Sequence, residues 1–150
     1  MDDQIESFLN QNHSAAMTTL RANGAAHTVR VGVALVDGKL WSSSTQTRVR
    51  TKHLRRDARA TLFVFDSEWR WLTLECTVNI LEGPDAPQLN LQFMQVMQQG
   101  MSVEPDKINW FGQMMTHERF LDTMVQEQRL IYEFDIVRSY GMYGTMPTNP

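Results

Sequence analysis

Residues 40–57, LWSSSTQTRVRTKHLRRD, decide how this chain is read. An apolar strand end passes through four hydroxyl residues, Ser42, Ser43, Ser44 and Thr45, into Arg48, Arg50, Lys52, Arg55 and Arg56. Arg59 lies just beyond, and Asp57 is the one local acid. A helix beginning near Thr47 would set Arg48, Lys52, Arg55 and Arg59 at i, i+4, i+7 and i+11, one basic stripe along its surface. Its first turn would add unpaired N–H groups and the positive end of the helix dipole, with the hydroxyls as further donors. A phosphate or a longer polyanion suits such a stripe. A solvated helix face that keeps the protein soluble is the competing reading of any charge run. Position favours the anion site, because the cluster directly follows a strand in a chain whose net charge is −3.

Upstream of this stretch, Asp37-Gly38 is a two-residue hairpin signal joining a strand over residues 25–36 to one over residues 39–44. In the first of these, Val29, Val31, Val33 and Leu35 share one face, and Arg30, Gly32, Ala34 and Val36 share the other. Residues 13–20 form a further strand, reached through a turn at 21–24. Residues 2–11 form a short amphipathic helix with Ile5, Phe8 and Leu9 at helical spacing.

Downstream, residues 60–65 (ATLFVF) are a continuous apolar run, the pattern of a strand buried on both sides. The clearest alternation follows, with Leu72, Leu74, Cys76, Val78 and Ile80 interleaved with polar residues. So long a strand in a small antiparallel sheet implies bending around a barrel. Gly83-Pro84 ends it. A helix is expected over residues 85–99 on the spacing of Leu89, Phe93, Val96 and Met97, then a loop over 100–109. A second helix over 110–127, a closing strand over 129–138 and a polar, turn-rich tail over 139–150 complete the chain. The expectation is a single domain spanning residues 1–150, mainly β with α additions (α+β), with about six antiparallel strands curled into a small barrel.

The composition narrows the chemistry. The lone Cys76 has no disulfide or CxxC partner, and His13, His27, His53 and His117 are scattered singly, so no metal site is expected. Neither a G-x-S-x-G elbow nor a phosphate-binding glycine fingerprint occurs. With no reactive group of its own in evidence, the chain looks built to borrow one from a cofactor. The acidic remainder and the absence of aromatic residues among the basic ones argue against nucleic acid as a partner. No apolar run of membrane-spanning length and no basic, apolar leader occur, so neither a membrane nor export is expected and the cytoplasm is the default location.

Leu20-Arg21 with Gly24 and His27, then Asp37-Gly38-Lys39-Leu40-Trp41, then Leu54-Arg55-Arg56-Asp57 with Arg59, resemble the pyridoxamine-5′-phosphate-oxidase-like split β-barrel proteins. The strand Trp69-Arg70-Trp71-Leu72-Thr73-Leu74-Glu75 and the closing Phe134-Asp135-Ile136 fit the same layout. Within that class the pattern is most similar to the flavin/deazaflavin oxidoreductases that bind the deazaflavin coenzyme F-420. The resemblance implies an FMN-binding-type split β-barrel and a homodimer with cofactor at the subunit interface. It also implies hydride transfer between the reduced deazaflavin and an electron-poor small-molecule substrate. By position, Arg48 and Arg50 match the phosphate-contacting basic pair, Ser43, Ser44 and Thr45 the strand end beside it, and Lys52 a contact to the acidic tail. Trp41 is placed near the ring, and residues 140–143 are placed to reach across the dimer. Arg55, Arg56 and Arg59 match scaffold positions. Departures are Ala26 and Ala58 where proline is usual, His53 where asparagine is usual, and Cys76 where glycine is common. Arg30 stands where an aliphatic residue is typical, as an anion partner or simply an outward residue. FMN in place of the deazaflavin, and a carrier that binds cofactor without turning it over, are the alternatives.

Overall fold

The computed structural model describes residues 1–144. In chain order they form α1 (Asp3–Gln11), β1 (Ser14–Leu20), β2 (Ala26–Gly32), β3 (Ala34–Val36), β4 (Lys39–Thr45) and α2 (Val49–Arg56). These are followed by β5 (Arg59–Phe65), β6 (Trp71–Leu81), α3 (Ala86–Met97), β7 (Lys107–Trp110), β8 (Gln113–Thr116), α4 (His117–Gln126) and β9 (Arg129–Met142). Seven strands make one curled antiparallel sheet in the order β2-β1-β5-β6-β9-β4-β3, and β7-β8 is a separate hairpin. This is the α+β split β-barrel that the resemblance implied, with the hairpin-rich barrel and flanking helices that the strand pattern pointed to.

The expected single strand over residues 25–36 is two strands on opposite edges of the sheet. β2 pairs with β1, whereas β3 pairs with β4 across Asp37-Gly38, whose two positive φ angles are those of a tight hairpin turn. The chain changes partner at Val33, whose N–H donates to the carbonyl of His13 at 2.8 Å. The hydroxyl of Ser42 donates to the carbonyl of Gly32 at 2.7 Å, tying the two edges together. A Cβ on Gly32 would lie 2.9 Å from the terminal methyl of Met97, so glycine lets α3 approach this corner.

Ile5, Phe8 and Leu9 of α1 pack into the barrel interior with Met17, Leu40, Leu62, Leu74, Leu130 and Tyr132. α3 covers the outer face of β3, β4 and β9 through Phe93, which meets Ala34, Val36, Trp41 and Ile131. No helix among the described residues covers the outer face of β5. The run 60–65 is therefore buried on one side only, and Phe63 and Phe65 are exposed beside Trp71, onto which Phe63 stacks. The long β6 bends at a bulge between Glu75 and Cys76 in its pairing with β9.

The expected helix over 110–127 is half hairpin. Phe111 and Gly112 both take left-handed φ angles, 49° and 86°, and turn β7 back on β8, so α4 starts only at His117. The side chain of Thr116 caps it by accepting from the N–H of Arg119 at 3.1 Å. Ile108, Trp110 and Met115 point from the hairpin onto Leu91, Phe120 and Met124, so the apolar residues that mimic a helical period belong to two element types. The closing strand also runs further than residue 138, with Ser139 to Met142 paired against Leu74 to Trp71. Of the expected tail, residues 145–150 lie outside the described residues.

Candidate functional site at the start of the basic helix

The barrel delivers β4 into α2 at one end, and Thr51 locks that junction. Its hydroxyl donates to the carbonyl of Thr45 at 2.7 Å and is hydrogen-bonded to the buried hydroxyl of Tyr132 on the facing strand. Arg48 stands at the cap position with no side chain capping the helix, so the first amides of α2 have no side-chain acceptor. The structure thus brings Thr45, Arg48, Arg50 and Lys52 to the same helix start.

Arg48 and Lys52 are exposed and Arg50 is half-buried. Among the described residues none of the three has a carboxylate within ion-pair distance. Among the described residues the buried Nε of Arg50 finds no hydrogen-bond partner. Burial pulls the pKa of Arg50 below its ordinary value; the Tyr132 hydroxyl opposes the shift, and the neighbouring charges of Arg48 and Arg129 add to it. A partly desolvated guanidinium among like charges gains from any anion that reaches it.

The hydroxyls divide by face. Ser43 and Thr45 point outward, and Ser43 donates to the side-chain oxygen of Asn90 on α3 at 2.5 Å. Thr45 shares a hydrogen bond of 3.3 Å with Thr47. Ser44 faces the interior, where its hydroxyl is fully buried and has no partner among the described residues.

Two sequence candidates lie elsewhere. Trp41 is only 6% exposed, pressed against α3, with its indole N–H donating to Glu133 at 2.9 Å, so it is part of the scaffold under the site and offers no face to a ring. Arg30 lies on the outer side of β2, opposite Ala16, and donates to the hydroxyl of Ser14 at 3.1 Å. It lines a cleft with Phe65, Asp66 and Glu68 and is not part of the Arg48–Arg50 cluster.

The single basic stripe also divides. Arg59 belongs to β5, where Asp57 takes its guanidinium through two nitrogens at 3.0 and 2.8 Å. Arg55 pairs with Glu82 at 2.9 Å and donates to Gln46, and Arg56 donates to the carbonyl of Leu20. Behind the helix, His53 is buried with its Nδ1 2.9 Å from the hydroxyl of Thr19 and its ring 5.1 Å from that of His27. Burial, then the charges of His27, Arg56 and Arg21, lower its pKa from the usual imidazole range.

Arg129 was not legible as a site residue. It opens β9 opposite Thr45, near enough to Arg50 to oppose its charge, and the one signal in the sequence was a basic residue at the head of the closing strand. Tyr143 packs back onto the chain's own core, while Tyr140 lies exposed on the outer sheet face near Trp71.

The comparisons agree with this architecture. The family model described as pyridoxamine 5′-phosphate oxidase matches residues 1–110. No curated protein matches the chain in sequence. Among solved structures, a conserved hypothetical protein of Mycobacterium tuberculosis is 17% identical over 100% of this chain and 92% of its own, with a TM-score of 0.73. An F-420 reductase is 14% identical over 90% of this chain and 94% of its own, with a TM-score of 0.64. A heme storage protein of Vibrio cholerae is 11% identical over 93% and 92%, with a TM-score of 0.63. At such identities the likeness is one of fold.

Proposed function

The chain belongs to the pyridoxamine 5′-phosphate oxidase family, and from that premise we propose that it is an oxidoreductase gripping the anionic end of the deazaflavin coenzyme F-420, with FMN as the alternative cofactor. The observation that carries this reading is the trio Arg48, Arg50 and Lys52, cationic, without carboxylate partners among the described residues, and gathered at an uncapped helix start. Such a trio fits a phosphate flanked by further negative charge. FMN ends in one phosphate, whereas the deazaflavin carries a phosphodiester and an acidic tail, and Lys52, a turn further along α2, suits the longer anion. The F-420 reductase among the similar folds leans the same way.

When bound, such a cofactor supplies a hydride to, or accepts one from, an electron-poor small molecule. The chain's own work is positional. Arg50 holds the anion from a half-buried position, Arg48 and Lys52 hold it from the rim, and Thr45 with the first amides of α2 adds donors. Thr51 and Tyr132 fix the helix start against the barrel. We place the second copy of a homodimer on the outer sheet face, where Phe63, Phe65, Trp71 and Tyr140 form a partly exposed aromatic cluster.

Titration calorimetry with each cofactor tests the choice. The deazaflavin is expected to bind more tightly than FMN, with affinity falling as salt rises; tighter binding of FMN would overturn it. Sedimentation velocity should find a dimer that Phe63→Lys weakens.

A further inference from the structure

A cavity of about 300 Å³ lies between α3 and the β7-β8 hairpin, beside the anion cluster, lined by Ser43, Phe93, Met94, Met97, Trp110, Phe111 and Arg129. Its walls are mostly aromatic rings and thioethers, and its size is at the low end for small-molecule sites. Arg129 is its one charged residue among the described residues, and that side chain is only 11% exposed. Glu127 holds it on one side and also ties down the Trp110 ring beneath it. The carboxylate accepts from the Nε of Arg129 at 3.0 Å and from the indole N–H of Trp110 at 3.3 Å, while the guanidinium lies 4.9 Å over the Trp110 ring. The terminal nitrogens of Arg129 make no hydrogen bond among the described residues. A cation held rigidly with its outer donors open is prepared for an anionic group.

The lip of the cavity is unusual. Phe111 turns the hairpin in a left-handed conformation that residues with bulky side chains avoid, and it is 84% exposed while its ring meets Trp110 edge-on at 4.6 Å. A large apolar side chain in a strained, solvent-facing turn is costly unless something flat covers it.

We infer that this cavity takes a small planar apolar molecule bearing one anionic group, its flat body against Trp110, Phe111 and the methionines and its anion on Arg129. Calling that molecule the substrate rests on the cofactor reading above; the binding chemistry does not. The methionines let the wall adapt to differently shaped bodies.

The test uses 2-naphthoate and its neutral analogue 2-naphthalenemethanol, titrated into the full chain by calorimetry. Naphthoate is expected to bind about tenfold more tightly, the usual effect of one charge-assisted hydrogen bond. Arg129→Gln should bring the two to parity, and Arg129→Lys should restore part of the difference. Met94→Trp, which fills the cavity and leaves Arg129 in place, should abolish binding of both probes. Equal affinities in the unaltered protein, or binding that survives Met94→Trp, overturns the inference. Saturating FMN should leave naphthoate binding unchanged; displacement would make the cavity part of the cofactor site and overturn the substrate assignment. If neither FMN nor the deazaflavin binds while the naphthoate pattern holds, the cofactor reading falls and the cavity's preference for a planar anion stands.

Discussion

The two halves of the basic segment look alike as text and differ as structure. Arg48, Arg50 and Lys52 have no carboxylate partner among the described residues, and one buried nitrogen of Arg50 bonds to nothing. Arg55, Arg56 and Arg59 each reach an acceptor within the chain: Glu82 and Gln46, the carbonyl of Leu20, and Asp57. Charge density alone does not mark a binding site. What marks it is a cation with donors that its neighbours leave open, because a donor already bonded must give up one partner before taking another. The second half ties α2 to the barrel, and the first half presents what that anchoring holds in place.

The widest separation between the halves should appear in cofactor affinity. Replacing Arg48 and Arg50 together by alanine is expected to raise the cofactor dissociation constant by about a hundredfold, the combined effect of two charge-assisted hydrogen bonds to the anion. Arg55→Ala and Arg59→Ala should change it less than about twofold, since exposed pairs remote from a ligand contribute little. Equal weakening from both halves in calorimetry would erase the distinction.

Thr51→Val probes the join behind the first half. It removes the hydroxyl shared by the Thr45 carbonyl and Tyr132 and should cost about 1–3 kcal/mol in denaturant unfolding, the usual penalty when a buried partner is left unsatisfied. Cofactor affinity should fall with it, as the helix start loosens.

His53 probes the second half through pH. Its folded pKa lies below the unfolded value of 6.5, so the unfolded chain takes up the proton first. The stability this residue contributes is whole above pH 6.5 and declines as pH falls below it. Chemical denaturation between pH 7.5 and 5.5 should show that slope, and His53→Asn should flatten it; an unchanged slope would remove His53 as its source.

The smallest effect is expected at Asp57. Its carboxyl is held down to about 2, chiefly by hydrogen bonds from the side chain and backbone of Arg59. The stability this adds is present above the ordinary carboxylate pKa and lost only as pH falls toward 2. Arg59→Ala should therefore lower the melting temperature slightly at neutral pH, since an exposed pair contributes little, and the difference from the unaltered protein should vanish as pH falls toward 2.

Much of the fold was legible because its signals are local. Asp37-Gly38 is a turn by backbone chemistry alone, and the alternation from Leu72 to Ile80 needs no partner to be recognised. The helix carrying Arg48, Arg50 and Lys52 was legible for the same reason, as hydroxyl residues leading into a basic run. The readings that failed asked which other element would lie alongside. Residues 25–36 alternate without interruption, and only the exchange of β1 for β4 as partner divides them at Val33. The 60–65 run is apolar throughout, but whether its outer face is buried depends on a helix that covers β4 and not β5. Phe111, Met114, Met115, Leu121, Met124 and Val125 read as one helix until Phe111-Gly112 closes a hairpin that assigns Met114 and Met115 to a strand.

The sequence by itself determined where the chain turns, which strands carry an apolar face and where cationic charge gathers, since backbone propensity and side-chain alternation act over a few residues. The tertiary structure alone decided which of those cations stay unpaired, and that Arg129, Glu127 and Trp110 meet beside Ser43. Ion pairing and desolvation depend on distances between segments far apart in the chain, and those distances exist only once the sheet has curled.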